Sequence, residues 1–229
     1  MESPVTHNLP LFPTPLVGRA QALAEIDTLL QRPGSRLLTL MGPGGMGKTR
    51  LAVEAGRERV GTFADGVWFV PLAPINTAAA LAPAIANALG IALQGGDPHS
   101  LLLQLLRQKQ MLLILDNFEQ LLAEGIAPKG DALGAVDLIV DLLDTTPGVQ
   151  IIVTSRERLK LRGEQLYLVQ VLTFSTIATL AEAAAAAAVR LFIQAVQRVQ
   201  TAFQLVETNL ADVLRICELV QGMPLGLEL

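Results

Sequence analysis

The sequence predicts an α/β fold in which a parallel sheet lies between helices, and two observations carry this prediction. Short apolar runs alternate along residues 16–172 with segments of helical periodicity. A glycine-rich segment, residues 42–49 (GPGGMGKT), comes directly after the first apolar run and directly before a helical segment. Alternation of this kind is typical of parallel sheets with helices on both faces.

Each element has its own signal along the chain. Residues 1–15 contain four prolines and little periodicity, which predicts an extended arm rather than a packed element. A helix is predicted over residues 20–31, because Ile26 and the leucines around it fall on one helical face. The predicted strands are residues 36–41, 66–71, 111–116, 150–154 and 165–169. The further predicted helices are residues 50–55, 78–89, 100–107 and 135–143, with a turn at 94–98 and a loop over 125–134.

From about residue 175 onward the pattern is helical only, which predicts a separate helical layer or small second domain. The predicted division is therefore an arm over 1–15, an α/β domain over 16–172 and a helical domain over 173–229. An apolar stripe in the last of these is predicted to be core. Its members are Val189, Phe192, Val196, Val199 and Phe203. Cys217 is the only cysteine, so it excludes an internal disulfide and is expected to be a buried apolar residue.

The composition excludes several classes of protein. Half of the residues are apolar (51%) and 17% are charged, which is ample material for a core. A net charge of −4 gives no broad attraction to nucleic acid or anionic lipid, so we expect no direct nucleic-acid binding by this segment. The N-terminus lacks the pattern of a signal peptide, and no apolar run has the length of a membrane span. A cytoplasmic location is expected.

The segment 42–49 fits the phosphate-binding pattern G-x-x-x-x-G-K-S/T, and its strand–loop–helix context is the one that this pattern requires. Glycines let successive backbone N–H groups converge on one anion, and the following helix adds its positive N-terminal end. Lys48 is expected to reach the β- and γ-phosphates, and the Thr49 hydroxyl to join a Mg²⁺ shell. The predicted nucleotide-contacting residues of this region are Gly42, Gly44, Gly45, Met46, Gly47, Lys48, Thr49 and Arg50.

Two later strands end in side chains that suit the same site. Asp116 ends an apolar strand, where ligand groups gather in α/β sheets, and is expected to hold Mg²⁺ through water, opposite Thr49. The alternative is that Asp116 caps the next helix. Arg156 follows the fourth strand, where its guanidinium is expected to read the γ-phosphate; alone, it fits a solvated surface arginine equally well.

The residue after Asp116 bears on catalysis. Many ATPases place a carboxylate there to polarise the attacking water, whereas this chain has Asn117, which can orient water but cannot accept a proton. Glu119 is the nearest alternative carboxylate, and a solvated position near a helix N-terminus explains it at least as well. We therefore expect slow hydrolysis.

Five motifs in order resemble the STAND class of signal-transducing P-loop ATPases, and in particular its NB-ARC-like modules, found in apoptotic ATPases, plant resistance proteins and bacterial regulators. They are Val17-Gly18-Arg19, GPGGMGKT, LLILDNFEQLL, IIVTSRERL and Gly222-Met223-Pro224-Leu225. The resemblance implies a sheet order 5-1-4-3-2 and a following helical domain. It implies that Val17, Gly18 and Arg19 line the adenine side and that Pro224 packs near the base or ribose.

The resemblance also implies ATP or ADP as ligand, with Mg²⁺, and a conformational switch worked by exchange and hydrolysis. Relatives continue into a winged-helix domain and sensor repeats, which are absent from this sequence. We therefore expect the nucleotide-binding core of a larger protein that self-associates in its ATP state, with unknown effector and sensor domains. Many relatives have a second acidic residue directly after the aspartate, whereas this chain has Asn117. This difference is expected to affect the rate of hydrolysis rather than nucleotide binding.

Three other functions compete with the switch. A constitutively active, remodelling-type ATPase would make hydrolysis itself the output, and sustained turnover would distinguish it. A degenerate scaffold would bind no nucleotide, against the intact Lys48, Thr49 and Asp116. A small-molecule kinase would need a basic substrate lid, and the sequence shows none.

Overall fold

A computed structural model of the chain describes residues 7–122 and 134–229. Its centre is a five-stranded sheet in which every neighbouring pair of strands is parallel. The strands are β1 (Leu37–Met41), β2 (Val67–Pro71), β3 (Met111–Asp116), β4 (Val149–Ser155) and β5 (Glu164–Leu168). Their order is β2-β3-β4-β1-β5, which is the predicted order 5-1-4-3-2 counted from the other edge, so that prediction is confirmed.

The helices of the described residues fall between and after these strands. They are α1 (Ala20–Gln31), α2 (Lys48–Arg57), α3 (Leu81–Ala88), α4 (Pro98–Leu106), α5 (Glu119–Leu122), α6 (Ala135–Thr145), α7 (Leu180–Ala185), α8 (Ala187–Val199), α9 (Glu207–Leu219) and α10 (Pro224–Glu228). A short 3-10 turn, Ala78–Ala80, precedes α3. No helix of the described part of the chain combines the length and the apolar character needed to cross a membrane.

The predicted helix over residues 100–107 begins two residues earlier, at Pro98. Asp97 caps it, because its carboxylate accepts a hydrogen bond from the Ser100 backbone N–H at 2.9 Å. Proline suits the first helical position, where an N–H would have no acceptor within the helix. The predicted turn therefore contains the cap of this helix, and most of the predicted loop over 125–134 lies outside the described residues.

The sheet is covered on both faces, as the continuous apolar run of β3 predicts. All six residues of β3 are buried. Leu113 and Leu115 pack into a cluster with α3, α4 and α6, whereas Leu112 and Ile114 pack into a second cluster with α1 and α2. Alternate side chains of one strand thus pack into two cores. For this reason a strand between two layers of helices is apolar throughout and does not alternate apolar with polar residues.

The arm is extended but packed, so the prediction that it is not a packed element is wrong for its described part. His7 forms a parallel bridge with Val67, and Asn8 Nδ2 donates to the Phe69 carbonyl at 2.9 Å. Leu9 is buried in the cluster of α1 and α2. The prolines suit this role, because they keep the backbone extended at a sheet edge. Residues 1–6 lie outside the described residues.

The helices after β5 form a third apolar cluster of their own, into which Val17 and Leu172 also pack. Cys217 is fully buried there, as predicted, and burial raises the pKa of its thiol. The predicted core stripe is correct at Val189, which is buried, and wrong at Val199, the last residue of α8, which is 92% exposed. The division of the chain into domains at residue 172 stays a prediction.

Candidate nucleotide-binding site

The glycine-rich loop joins β1 to α2 at the carboxyl edge of the sheet. Gly45 (φ +80°) and Gly47 (φ +82°) adopt left-handed backbone conformations that side chains disfavour, and Gly47 is the residue that precedes α2. The first amides of any helix have no acceptor inside the helix, so those of α2 are available to an anion at the loop. The local backbone geometry therefore suits the predicted anion site.

Lys48 is 8% exposed and its Nζ donates to two loop carbonyls, those of Gly42 at 2.8 Å and Pro43 at 3.0 Å. Burial lowers the pKa of its ammonium; the Glu119 carboxylate opposes this shift, Arg156 adds to it, and Asp116 opposes it. A desolvated ammonium held by neutral carbonyls gains strongly from an anionic partner. The geometry thus suits a lysine that binds phosphate oxygens.

Asp116 is buried at the end of β3 and links two neighbouring elements. Its Oδ1 accepts hydrogen bonds from the hydroxyls of Thr49 at 2.7 Å and Thr154 at 2.6 Å. This all-oxygen group fits Mg²⁺, because the Thr49 hydroxyl can enter the metal shell and the carboxylate can hold its waters. The alternative role of Asp116 as a helix cap receives no support from the described residues, where α5 begins only at Glu119 and the side chain bonds to the two hydroxyls.

The chain turns sharply after Asp116. Asn117 has φ +65°, and its backbone N–H donates to Thr154 Oγ1 at 3.0 Å. Phe118 is fully buried, and the following residue, Glu119, lies near the glycine-rich loop. Glu119 Oε1 forms an ion pair with Arg156 Nε at 3.2 Å. The three residues predicted to take part in catalysis, Asn117, Glu119 and Arg156, therefore lie together.

The Val17-Gly18-Arg19 motif contacts the glycine-rich loop through Arg19. Arg19 is buried, and its Nη1 donates to Gln170 O at 2.7 Å and its Nη2 to Met46 O at 3.0 Å. Burial lowers the pKa of Arg19, an effect that Tyr167 partly opposes. Gly18 has φ +67°, and a Cβ there would lie 2.3 Å from the Cβ of Ala187. Arg19 thus ties the glycine-rich loop to the segment after β5, and Gly18 allows α8 to approach.

The last helix packs directly on the glycine-rich loop. The backbone N–H of Leu225 donates to Gly45 O at 3.1 Å, and a Cβ on Gly45 would lie 2.9 Å from that of Leu225. At the other end of α10, Glu228 pairs with Arg198 of α8 at 3.3 Å and reaches Arg50 of α2 at 4.0 Å. Helix α10 is therefore joined to both the loop and the helical layer.

These elements enclose a cavity of about 360 Å³. The predicted residues that line it are Val17, Arg19, Gly44, Gly45, Met46, Gly47, Lys48, Thr49, Arg50, Asn117, Glu119, Arg156 and Pro224. Three predicted residues, Gly18, Gly42 and Asp116, are not in its lining. Their contacts described above are with Ala187, Lys48 and the hydroxyls of Thr49 and Thr154, and of these Lys48, Thr49 and Thr154 line the cavity. The volume lies within the range of small-molecule sites.

Sequence reasoning missed seven lining residues: Phe12, Leu16, Thr154, Leu172, Leu191, Leu225 and Glu228. A signal existed for Thr154, because it is two positions before Arg156 at the end of the same strand. The others are mostly ordinary apolar residues, and no local pattern separates such a residue in a cavity wall from one in a core.

The cavity has two parts. We call Lys48, Thr49, Asn117, Glu119, Thr154 and Arg156, with the glycines of the loop, the strand half. We call Phe12, Leu16, Val17, Pro224, Leu225 and Glu228 the terminal half, since they come from the arm and its continuation and from α10. Arg50 joins the two halves: it hydrogen-bonds the Thr14 carbonyl and lies 5.4 Å from the Phe12 ring centre.

Comparison with known proteins agrees with this geometry. Residues 31–162, more than half of the chain, match the AAA domain family. The chain belongs to the AAA domain family. The matched residues of this AAA domain include the glycine-rich loop, Asp116 and Arg156.

Among curated proteins, the chain is 35% identical over 195 residues to a putative HTH-type transcriptional regulator of Mycobacterium tuberculosis. The match covers 85% of this chain and 20% of the regulator, so the chain spans a fifth of that relative's length.

Solved structures share the fold. A Walker-type ATPase of Pyrococcus abyssi aligns with a TM-score of 0.56 at 14% identity, over 93% of this chain and 66% of its own. A STAND protein with a tetratricopeptide repeat sensor from Pyrococcus horikoshii aligns with a TM-score of 0.54 at 17% identity, over 98% and 31% respectively. The chain is thus a P-loop NTPase domain, and nucleotide binding is a property of that kind of domain.

Proposed function

We propose that this chain is the ATP- and ADP-binding switch of a STAND-class ATPase of the NB-ARC-like kind, with slow Mg²⁺-dependent hydrolysis. One observation carries the proposal: the cavity is walled on one side by the glycine-rich loop and on another by α10 of the helical layer. A nucleotide in this cavity contacts both at once. Whether ATP or ADP is bound therefore affects how α10 packs against the loop.

The contact between loop and helix is small enough to be switched. It consists of the Leu225–Gly45 hydrogen bond, apolar packing of Leu225 and the long Glu228–Arg50 pair. A single backbone hydrogen bond contributes about 0.5–1.5 kcal/mol, and a surface ion pair about 0–1 kcal/mol. A ligand shifts a conformational equilibrium only by its difference in affinity for the two states. The contacts of one additional phosphate group can supply a difference as large as the energy of this contact between loop and helix.

The residues of the strand half have distinct roles in this proposal. Lys48 leaves the loop carbonyls to bind the β- and γ-phosphates, and Arg156 contacts the γ-phosphate, which only ATP has. Thr49 and Asp116 hold Mg²⁺, which when bound neutralises phosphate charge. Asn117 orients water without taking its proton, in keeping with slow turnover.

Val17 and Pro224 of the terminal half are proposed to pack on the base and ribose, and Arg19, outside both halves, to hold the glycine-rich loop in place. The resemblance of the motifs, the HTH-type regulator as a relative and the shared fold of a STAND protein support this reading. Self-association in the ATP state, and effector and sensor domains in the parent protein, belong to the same proposal.

Hydrogen exchange of the backbone amides at residues 223 and 225–227 tests the switch; Pro224 has no backbone N–H. With ADP, we expect the Leu225 amide to stay protected by the Gly45 carbonyl; with a non-hydrolysable ATP analogue, we expect faster exchange. Amides of β3, such as Ile114, provide the internal control, because they belong to the buried sheet in both states. Equal exchange at Leu225 with both nucleotides would contradict the switch.

Turnover distinguishes the switch from a remodelling motor. We expect steady-state hydrolysis well below about one per second, since typical enzymes lie at or above that rate. Sustained faster turnover would favour an ATPase whose output is hydrolysis itself.

A further inference from the structure

The two edges of the sheet differ in what covers them. Strand β2 is one edge, and the arm covers it: His7 forms a parallel bridge with Val67, and Asn8 Nδ2 donates to the Phe69 carbonyl at 2.9 Å. Strand β5 is the other edge, and among the described residues it pairs with β1 alone. A strand edge with free backbone N–H and C=O groups is a template for another extended segment.

The free backbone groups of β5 are centred on Leu166. At the end of the strand, the Val169 N–H donates to the Met41 carbonyl of β1 at 2.8 Å. Because backbone groups alternate in direction along a strand, the odd-numbered residues of β5 face β1 and the even-numbered ones face the open edge. The Leu168 carbonyl accepts a hydrogen bond from Gln170 Nε2 at 3.2 Å, whereas the N–H and C=O of Leu166 have no partner among the described residues. An added strand would therefore find its hydrogen bonds at Leu166.

One face of β5 is apolar and partly exposed. Glu164 Oε1 accepts a hydrogen bond from the Leu159 N–H at 2.8 Å, so its side chain lies on the face that the connection from β4 crosses. Side chains alternate along a strand, which places Leu166 and Leu168 on this same face, where they are 39% and 53% exposed. The connection, residues 156–163, is described throughout and contains no helix, so this part of the sheet lacks the helical layer that covers β3.

The connection from β4 to β5 presents positive charge. Its leucines, Leu159 and Leu161, pack into the cluster with α3, α4 and α6. Three cations at alternating positions are exposed instead: Arg158, Lys160 and Arg162. Glu157 is the one exposed carboxylate of this connection, and the Glu164 carboxylate is bonded to its backbone N–H groups. The exposed leucines of β5 are therefore bordered by an excess of cations.

We propose that this surface, formed by Arg158, Lys160, Arg162, Leu166 and Leu168, docks an extended acidic segment of a partner protein as a sixth strand beside β5. The backbone of the segment pairs with Leu166, its apolar side chains cover the two leucines, and its carboxylates lie near the cations. A second copy of this chain fits less well, because it would bring the same cations to the edge. None of the five residues lines the cavity, so the inference goes beyond the proposed function and does not depend on it.

A pair of synthetic peptides tests the charge of the partner. Both alternate valine and threonine in the centre; one carries glutamate and aspartate at its ends (EDVTVTVDE), and the other carries their amides (QNVTVTVNQ). Calorimetry should show that the acidic peptide binds about 5- to 10-fold more tightly, the sum of two or three exposed ion pairs. The difference between the peptides should shrink as the salt concentration rises.

Charge reversal on the protein side tests the same contact. The double variant Arg158→Glu with Arg162→Glu should lose the preference for the acidic peptide, because like charges then face each other. The matched control is Arg107→Glu with Arg190→Glu, which changes the net charge equally at exposed positions outside the surface and should keep the preference. A control that lost it as fully would show that net charge alone is the cause and would overturn the site.

Hydrogen exchange locates the added strand. Saturating acidic peptide should slow exchange of the Leu166 amide by about 10-fold or more, while the Val169 amide, which is bonded to β1, should not change. Leu166→Pro removes an outward N–H that β1 does not use, and should weaken binding of the acidic peptide by about 10-fold or more. Circular dichroism checks that this variant folds; if it does not, the exchange measurement on wild-type protein decides.

The remaining outcomes assign the edge to other occupants or to none. Equal binding of the two peptides, no binding of either, or unchanged exchange at Leu166 would overturn the acidic segment. Tighter binding of a short DNA duplex than of the acidic peptide would also overturn it, and so would protection of Leu166 by self-association alone, measured by sedimentation. Because these measurements need no nucleotide, their failure leaves the proposed switch intact, and a chain that binds no nucleotide can still bind the peptide.

Discussion

The strand half of the cavity is built from residues at the carboxyl ends of neighbouring parallel strands, whereas the terminal half brings together residues far apart in the chain. Thr49, Asp116 and Thr154 meet because β1, β3 and β4 are consecutive in the sheet. Phe12 and Leu225 line the same cavity although they are 213 positions apart (225 − 12).

The two halves also differ in the chemistry they present. The strand half has charged and hydroxyl side chains with fixed partners, which suits an anion and a metal. The terminal half is mostly apolar and depends on a few weak contacts, such as the Leu225–Gly45 hydrogen bond. We therefore propose that the strand half sets which phosphates bind, and that the terminal half transmits binding to the helices. The following changes, in order of expected effect, test that division.

Lys48→Ala should have the largest effect, because it removes the buried cation of the strand half. We expect ATP and ADP affinity to fall by about 2–4 kcal/mol, as for loss of one partner of a buried charge pair. Calorimetry with both nucleotides measures this, and Lys160→Ala, at an exposed position, is the control. Unchanged affinities would remove the phosphate-loop assignment.

Thr49→Ala and Asp116→Ala test whether the strand half acts as one unit through Mg²⁺. Each should weaken Mg²⁺-dependent ATP binding by about 1–3 kcal/mol, and the double variant by clearly less than the sum. The titrations are done with Mg²⁺ and with EDTA, since the metal-independent part should be spared. Additive losses that are equal with and without metal would contradict a shared ion.

Arg156→Ala should separate ATP from ADP. We expect ATP binding to weaken by about 1–3 kcal/mol for a lost charge-assisted hydrogen bond, with a smaller effect on ADP, which has no γ-phosphate. The same change should reduce ATP-driven assembly of the full-length parent protein. Arg158→Ala is the control, two positions away and exposed. If both nucleotides lost the same affinity, Arg156 would have no sensor role.

Phe12→Ala tests the terminal half, where no difference between nucleotides is expected. Losing the aromatic wall should weaken ATP and ADP alike by about 0.5–1.5 kcal/mol. Pro224→Ala should also affect both nucleotides alike. Leu11→Ala is the matched control, since Leu11 is 84% exposed and outside the cavity lining. A loss confined to ATP would show that this half also reads phosphate.

Asp65→Asn tests the sheet away from the cavity and should have the smallest effect. The Lys109 ammonium and the Gln110 backbone N–H hydrogen-bond this carboxylate and hold its pKa below the ordinary value of 3.8. A lowered pKa stabilises the fold above pH 3.8, and this contribution is lost as pH falls through the folded-state value.

We therefore expect Asp65→Asn to lower the free energy of unfolding by about 0.5–1 kcal/mol at pH 7, with the difference from wild type closing in acid. Denaturant titrations at several pH values measure this, with the exposed Asp212→Asn as control. Nucleotide affinity should not change. A stability difference that is constant with pH would mean that the charge of Asp65 is not its cause.

The sequence alone determined the parallel sheet and most of the strand half, whereas the strand order was implied by the family resemblance. Hydrophobic runs specify strands locally. Because the carboxyl ends of parallel strands share one edge of the sheet, motifs at those ends lie close together regardless of the conformation of the connecting loops. The predictions at Lys48, Thr49, Asn117, Glu119 and Arg156 placed these residues together for this reason.

Only the tertiary structure decided how the arm and α10 close the cavity, and that Glu119 pairs with Arg156. Residues 7–15 looked like an unpacked segment because prolines and scattered apolar residues carry no period, yet Leu9 is buried and Phe12 lines the cavity. Contacts between segments two hundred positions apart depend on how whole layers pack. No local sequence pattern encodes that packing, because apolar residues show the same pattern whichever layer they pack against.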